Sequence, residues 1–465
     1  MLSAAYGGLW HAATYDVRGG AYEALKNHRE PQGFGDSDLA HFNPTLIMPG
    51  LVENHRPRVP LFTDLVPERP RCRIETSFDG LDSLREQWDR AVLALGGPLY
   101  MSYDWCRLWW QFYGANKGLR LFIFYSGEDI VAIVPLYIET IGLAPFRLKL
   151  ARLVGANAPP RVFDPPVHKA YASQVWEAVV TYLFARERCD LLSFGPFSEH
   201  YQPAFSLREV VEARPELVRK PVTVQRGVHT VFPLPSSYED YLNSLDGKER
   251  KIRRKRLREL ENALPVRTEV VRDPGGVEKE FEAFVQQHTS QWAGEGRPGH
   301  FHAWPNALKF HRALVGAQGR LGRLRFIKLM AGDQVAANQY TFAFGKTLYA
   351  ELPARLSGRQ WERFSLGCTS QIKLIEAAIN EGFKAMESGM GHYDYKVLLN
   401  GKEQRVAVMR VQAKGAASRL RAWACSAARE TVTLFAHKIW YRRICPRLPK
   451  SIRTSQPAAA ISYDF

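Results

Sequence analysis

Residues Gly382–Asn400 read GFKAMESGMGHYDYKVLLN, and this stretch decides the fold. A short hydrophobic run stops at Glu387. Gly389 and Gly391 follow, and then five side chains that ionise or donate protons: His392, Tyr393, Asp394, Tyr395 and Lys396. Glycine adopts backbone conformations that other residues resist. The pattern is therefore a strand released by glycines into a turn crowded with proton chemistry.

Working outward, LGCTSQIKLIEAAINEG (366–382) predicts a helix that stops at Gly382. Before it, LRFIKLMAGDQVAANQYTFAFGKTLYAEL (324–352) gives three strands joined by turns at Gly332-Asp333 and Gly345-Lys346. FKAMESG is a strand and QRVAVMRV a final one. The same order occurs once earlier. LRLFIFYSGEDIVAIVPLYI is a strand, a turn and a strand, and RLKLARLVG is another strand. ASQVWEAVVTYLFARER is helical, and CDLLSFGPF is a strand. Two copies of hairpin, loop, helix and strand predict duplicated α/β units. Each copy is too long for a solenoid repeat.

Composition bounds what such a chain can be. At 465 residues, 46% of them hydrophobic, it can build ordinary large cores. Its six cysteines show no CxxC or metal-ligand spacing, so neither a disulfide framework nor a metal site is expected. A reducing compartment follows. MLSAAYGGLWHAAT lacks a basic start and a continuous apolar core, and does not read as a signal peptide. No uninterrupted apolar run approaches the ~20 residues that span a bilayer. The expected localisation is cytoplasmic. The net charge of +16 favours anionic partners without choosing among nucleic acid, acidic lipid and phosphorylated small molecules.

Three stretches carry a resemblance. GPLYMSYDWCRLWWQFYG (97–114) is similar to a Pro-then-Trp-Trp helix, RFSLGCTSQIKLIEAAINEGF to a Ser-Pro-Gly loop leading into a long helix, and MESGMGHYDYK to Asp-Phe-Gly-x-Gly followed by Tyr-Lys. In their order and spacing, from about Ile74 to Val411, they resemble the GNAT-like acetyltransferases of cellulose and exopolysaccharide biosynthesis (the CelD/BcsL-like group). These are similar to Fem-type aminoacyl transferases. Glu387 stands where the pattern has Asp, Met390 where Arg is common, and Leu366 where it has Pro. The resemblance implies an α/β (α+β) fold of two tandem GNAT-like acyl-CoA N-acyltransferase domains, with mixed, largely antiparallel sheets flanked by helices. The expected divisions are a poorly ordered extension (1–72), a degenerate GNAT-like domain (73–232), a basic helical connector (233–265), a catalytic GNAT-like domain (266–413), and a basic amphipathic helix with tail (414–465).

Acyl transfer from a thioester requires a grip on the donor, a base for the acceptor amine and an acid for the leaving thiolate. Helix N-termini bind phosphates, because their first N–H groups are uncommitted and the dipole is positive there. Ser365, Leu366 and Gly367 open such a helix, with Ser365 as a candidate cap and Arg359 and Arg363 just upstream. The first copy has no glycine at the matching place, so only the second half is expected to bind acetyl-CoA or another acyl-CoA. Lys396 is read as holding a phosphate or pairing with Glu387. Tyr395 is the candidate acid. Glu387, His392 and Asp394 compete as base, and Glu351 is a further candidate at the end of its strand.

The acceptor is expected to be an amine or hydroxyl of a small-molecule or carrier-linked sugar, nucleotide-sugar or cell-envelope precursor. Two alternatives stay open. One is a Fem-like transferase using aminoacyl-tRNA, motivated by the basic run Lys248–Arg258, which otherwise reads as a solvated helix face. The other is a non-catalytic scaffold of an envelope-polymer assembly. In the C-terminal stretch, Leu420, Trp423, Ala424, Ala427, Leu434 and Phe435 have amphipathic helical spacing. They are expected to pack on the body of the protein, or to touch an anionic surface at the inner membrane.

Overall fold

The computed structural model describes residues 68–156, 161–294, 299–303 and 305–434. The expected N-terminal extension, up to residue 67, and the tail beyond Leu434 lie outside the described residues. Twelve strands form one mixed sheet. They are β1 (Arg71–Glu75), β2 (Gly118–Ser126), β3 (Asp129–Ile141), β4 (Leu148–Leu153), β5 (Leu191–Ser198), β6 (Val222–Pro233), β7 (Val266–Val271), β8 (Leu324–Ala331), β9 (Gln334–Phe344), β10 (Thr347–Arg355), β11 (Ala385–Met390) and β12 (Lys402–Gln412). No described helix is long and apolar enough to cross a membrane.

The order across the sheet is β1-β2-β3-β4-β5-β12-β6-β11-β10-β9-β8-β7. It reads as two copies facing each other. Strands β1–β5 form one flank and β7–β11 the other, and in each the fourth and fifth strands run parallel (β4 with β5, β10 with β11) while the rest are antiparallel. The sixth strand of each copy is exchanged. β12 lies beside β5 of the first copy, and β6 lies beside β11 of the second. The two exchanged strands pair over Lys402–Arg410 and Val222–Val231, which makes the seam of the molecule. The mixed, largely antiparallel architecture that the resemblance implied is what the chain forms, with the two sheets joined into one.

The hairpin turns fall where the glycines predict. Gly332 and Gly345 both have φ of +59°, the left-handed conformation that tight two-residue turns require. Alternation along the strands divides the site's residues between two faces. Leu348 of β10 and Met386 of β11 pack with Ile372, Leu374 and Ile375 of the helix Leu366–Asn380. Tyr349 and Glu387, their neighbours in sequence, point the other way, where the ring of Tyr349 meets that of Tyr100 at 5.6 Å and Glu387 meets Tyr100 Oη. The helix lies on one side of the strand pair and the carboxylates on the other.

The helix Ala416–Leu434 departs from expectation. It does pack on the body, but through Ser418, Arg421, Ala422 and Cys425. Leu420 and Trp423 are on its exposed side.

Candidate active site

The helix Leu366–Asn380 begins after a backbone kink. Ser365 is left-handed (φ 48°, ψ 49°) and its side chain makes no cap. The expected Ser365 cap is thus corrected: the residue turns the chain, and the N–H groups of the first helical turn are left for another partner. Gly367 is exposed, and a Cβ added there would meet nothing closer than Arg355 Cδ at 3.8 Å. Leu366 is buried against Trp361, Phe364 and Leu260, so only its backbone faces outward. Arg363 stacks on Phe364 at 4.5 Å, and its carbonyl accepts from Arg256 Nη1 at 2.8 Å. Cys368 has a thiol raised by burial, an effect that nearby Arg253 and Arg355 oppose. The basic helix Gly247–Ala263, capped by Asp246, therefore brings two of its arginines to this N-terminus.

Beside it the parallel strands part. β10 and β11 pair only at Thr347–Ala385, Leu348–Met386 and Tyr349–Glu387. Both then break register with their other neighbours, β10 between Ala350 and Leu352 and β11 between Glu387 and Met390. From there they take different partners. Lys396 Nζ donates to the Ser388 carbonyl (2.6 Å), whereas His288 meets the Pro353 carbonyl (2.9 Å) and Gln291 accepts from the Arg355 N–H (3.0 Å).

The first copy has a matching pair that stops after Arg152–Ser193, but its opening is filled. The segment Arg161–Asp164 crosses it. Phe163 donates its N–H to Pro196 at 2.9 Å, and a Cβ on Gly155 would strike the Phe163 ring at 2.5 Å. Asp164 fastens the segment by accepting from Ser198 N (3.0 Å) and Ser198 Oγ (2.6 Å). Burial pushes the Asp164 carboxyl up to about 7.

The filling segment also serves the second copy. Arg161 donates to Glu351 Oε1 at 2.5 Å, with the Glu351 side chain buried and that of Arg161 largely so. The other carboxylate oxygen, Oε2, is buried and has no hydrogen-bond partner among the described residues. Glu387 accepts from Tyr100 Oη at 3.3 Å and lies 3.3 Å from His229 Nε2, which β6 supplies. Tyr100 is fully buried, and burial raises its hydroxyl well above the ordinary range, as does the Glu387 charge.

Of the residues expected at the site, the structure brings Glu351 and Glu387 to this buried cluster. Tyr395 is half-buried on the short helix Asp394–Leu398, and burial raises its hydroxyl above the ordinary range. Three expectations are corrected. Lys396 does not pair with Glu387: its ammonium is buried on the Ser388 and Gly389 carbonyls, and burial pulls it down to about 8. His392 and Asp394 are exposed and pair with each other, and His392 also pairs with Glu403 at 2.7 Å. Sequence reasoning missed Arg161, Asp164 and His229. Each is a lone polar residue without local pattern, and only strand exchange and the filling loop bring them near Glu351 and Glu387.

Residues 247–397 match the sequence pattern of an acetyltransferase (GNAT) domain. The chain is an acyltransferase. The matched acetyltransferase domain contains Gly367, Glu351, Glu387 and Tyr395, and stops before β12. Tyr100, Arg161, Asp164 and His229 lie outside it. No curated protein sequence matches the chain. Among solved structures it is similar to FemX (11% identity, TM-score 0.48, covering 70% of this chain and 95% of that one). It is also similar to L-PGS from Bacillus licheniformis (12%, 0.44, 72% and 94%). A third is a tandem GNAT protein from the clavulanic acid biosynthesis pathway (14%, 0.36, 74% and 99%).

Proposed function

We propose that the chain transfers an acetyl or similar acyl group from acyl-CoA to an amine or hydroxyl of a sugar, nucleotide-sugar or cell-envelope precursor. One observation carries the donor side. β10 and β11 separate after three paired residues, beside a helix N-terminus whose first turn is uncapped and whose Gly367 is open. The donor's pyrophosphate meets the N–H groups of Leu366–Cys368 and the surrounding arginines, and its arm enters between the strands. The thioester carbonyl takes hydrogen bonds from β10 backbone beyond Tyr349. The acceptor nitrogen bonds to the carbonyl carbon as its proton passes to the Glu387–His229 pair. The carbon–sulfur bond then breaks, and the thiolate takes the Tyr395 proton.

Support for a sugar acceptor comes from Gln286, Gln287, Ser290, Asn338 and Ser357, which line part of a groove of about 430 Å³ next to Arg355. Amides and hydroxyls of this kind suit a polyhydroxylated ligand. Calorimetric titration of the folded chain with acetyl-CoA tests the reading, and absence of binding at every pH and salt tried overturns it.

A second reading, aminoacyl transfer from tRNA, is favoured by the exposed cations Lys248, Lys251, Arg254, Lys255 and Arg258 on the basic helix. Filter binding separates the two, because a phosphate-reading surface loses affinity steeply with salt.

A further inference from the structure

The helix Ala416–Leu434 carries its apolar residues on the side away from the protein. Its inner face is held by Asp190, which accepts from Ser418 Oγ at 2.5 Å and Arg421 Nη1 at 2.9 Å. Cys425 and Ala422 on the same face join a small core with Leu148, Leu150 and Leu191. Opposite them, Leu420, Trp423 and Leu434 are 52%, 67% and 49% exposed. At 100° per residue the three fall within one narrow stripe. Such a stripe costs solubility and gives the fold nothing.

A second apolar feature touches this helix. The turn between β3 and β4 reaches Cys425, whose thiol lies 3.5 Å from the Phe146 carbonyl. That turn exposes Leu143 (69%) and Phe146 (42%). Five of the thirteen large exposed hydrophobics among the described residues thus sit on two elements in direct contact. Monomeric proteins rarely leave apolar side chains gathered in this way without a partner.

The charge around them names the partner. Arg147 borders the turn, Lys414 precedes the helix, and Arg419 lies on it beside the apolar stripe, against Glu430. The nearby acids Asp190 and Glu187 are already matched inside, by Arg421 and by Lys149 and Arg120. The sequence continuing from the helix adds Lys438, Arg442, Arg443, Arg447, Lys450 and Arg453 against Asp464 alone. A protein partner would need its own acidic patch of matching shape. A bilayer rich in anionic lipid offers negative charge and an apolar interior to any orientation of such a surface.

We propose that this face, the helix Ala416–Leu434 with the β3–β4 turn, docks the protein on an anionic bilayer. Leu143, Phe146, Leu420 and Trp423 enter the boundary between headgroups and acyl chains, where Trp is favoured. The basic residues around them meet lipid phosphates. The protein is peripheral, with no segment of the described residues crossing the membrane. The docking is independent of the acyl-CoA reading, since it uses none of the residues around Gly367 or Glu387.

The test is co-sedimentation of the full-length chain with vesicles of phosphatidylcholine alone and of phosphatidylcholine with phosphatidylglycerol, at low and high salt. Partition should be roughly 100-fold stronger into the anionic vesicles at low salt, from about 1 kcal/mol per surface cation. The variant Leu420→Ser/Trp423→Ser should lose at least ~10-fold of that partition while its thermal unfolding and acetyl-CoA titration match the parent. Leu143→Ser/Phe146→Ser is a second variant on a different element, with the same expectation. Equal partition into neutral and anionic vesicles, parental binding by both variants, or a dimer that forms without vesicles and is dispersed by these substitutions overturns the proposal.

Discussion

Arg161 and Glu351 meet across the two copies of the fold, 190 residues apart in sequence and 2.5 Å apart in space. Glu351 sits at the bulge of β10, and Arg161 belongs to the segment that closes the first copy's opening. The segment that fills one half's opening therefore shapes the other half's site.

Removing Arg161 leaves the buried Glu351 carboxylate without its partner. Arg161→Met should lower unfolding free energy by about 3–5 kcal/mol, and Arg161→Met/Glu351→Leu should recover most of it. Urea denaturation of the two variants and of Glu351→Leu closes the cycle. A double variant as unstable as the sum of the singles would show that the two side chains do not act as a pair.

Gly367 separates stability from ligand binding. An alanine Cβ would make only ordinary contact with Arg355, so Gly367→Ala should leave stability unchanged or raise it by up to ~1 kcal/mol. Acetyl-CoA affinity should fall at least ~10-fold, since backbone can no longer approach the pyrophosphate as closely, and Gly367→Trp should abolish binding. Calorimetry alongside thermal unfolding reads both effects. Unchanged affinity in Gly367→Trp would remove this helix from the donor site.

The filled opening fixes the stoichiometry. One acetyl-CoA should bind per chain, because Phe163 occupies the first copy's gap. Phe163→Ala should cost about 3–5 kcal/mol by leaving a cavity beside Gly155, without creating a second binding event. A stoichiometry of two in the parent chain contradicts this assignment.

Acid should unfold the protein through buried imidazoles. Burial holds His288, His300 and His311 neutral, down to about 4, 3 and 4. Between pH 6.5 and about 4 the unfolded chain binds protons there that the folded chain does not, so stability falls as pH drops. Asp164 works the other way: raised to about 7, it adds stability as pH falls from 7 toward 4. Three groups against one leave a net loss on the order of 1–3 kcal/mol per pH unit below pH 6. Asp164→Asn should make the loss steeper. Urea midpoints measured from pH 5 to 7.5 decide both points, and a flat profile would show the histidines to be exposed or charged.

Chemistry should separate from binding at Glu387 and Tyr395. Glu387→Gln is expected to lower kcat about 10²–10⁴-fold and Tyr395→Phe by a smaller factor, each with acetyl-CoA affinity unchanged. His392→Ala, on the exposed surface, should leave kcat within about twofold. Loss of activity in His392→Ala with Glu387→Gln unaffected would move the base to the surface cluster.

The repeated strand patterns, the glycine turns and the helix stopping at Gly382 were readable in the sequence because periodicity and turn chemistry are local. So was the strand ending at Glu387 and its release into a turn, though not the short helix Asp394–Leu398 that follows. What local pattern could not show was where β12 pairs, since nothing in QRVAVMRV distinguishes β11 of its own copy from β5 of the other. Nor could it show which of several clustered ionisable groups turns inward. Lys396 ends up buried and His392 exposed, although only three residues separate them, because Lys396 reaches back over the bulged end of β11.

Neither copy of this fold closes its sheet alone. Without β6, the strand that carries Glu387 would become a naked edge, and without the sheet that ends in β5, β12 would have nothing on its far side. The first copy thus lends the second both the hydrogen bonds that close its sheet and the side chains Tyr100, Arg161 and His229 that surround its carboxylates.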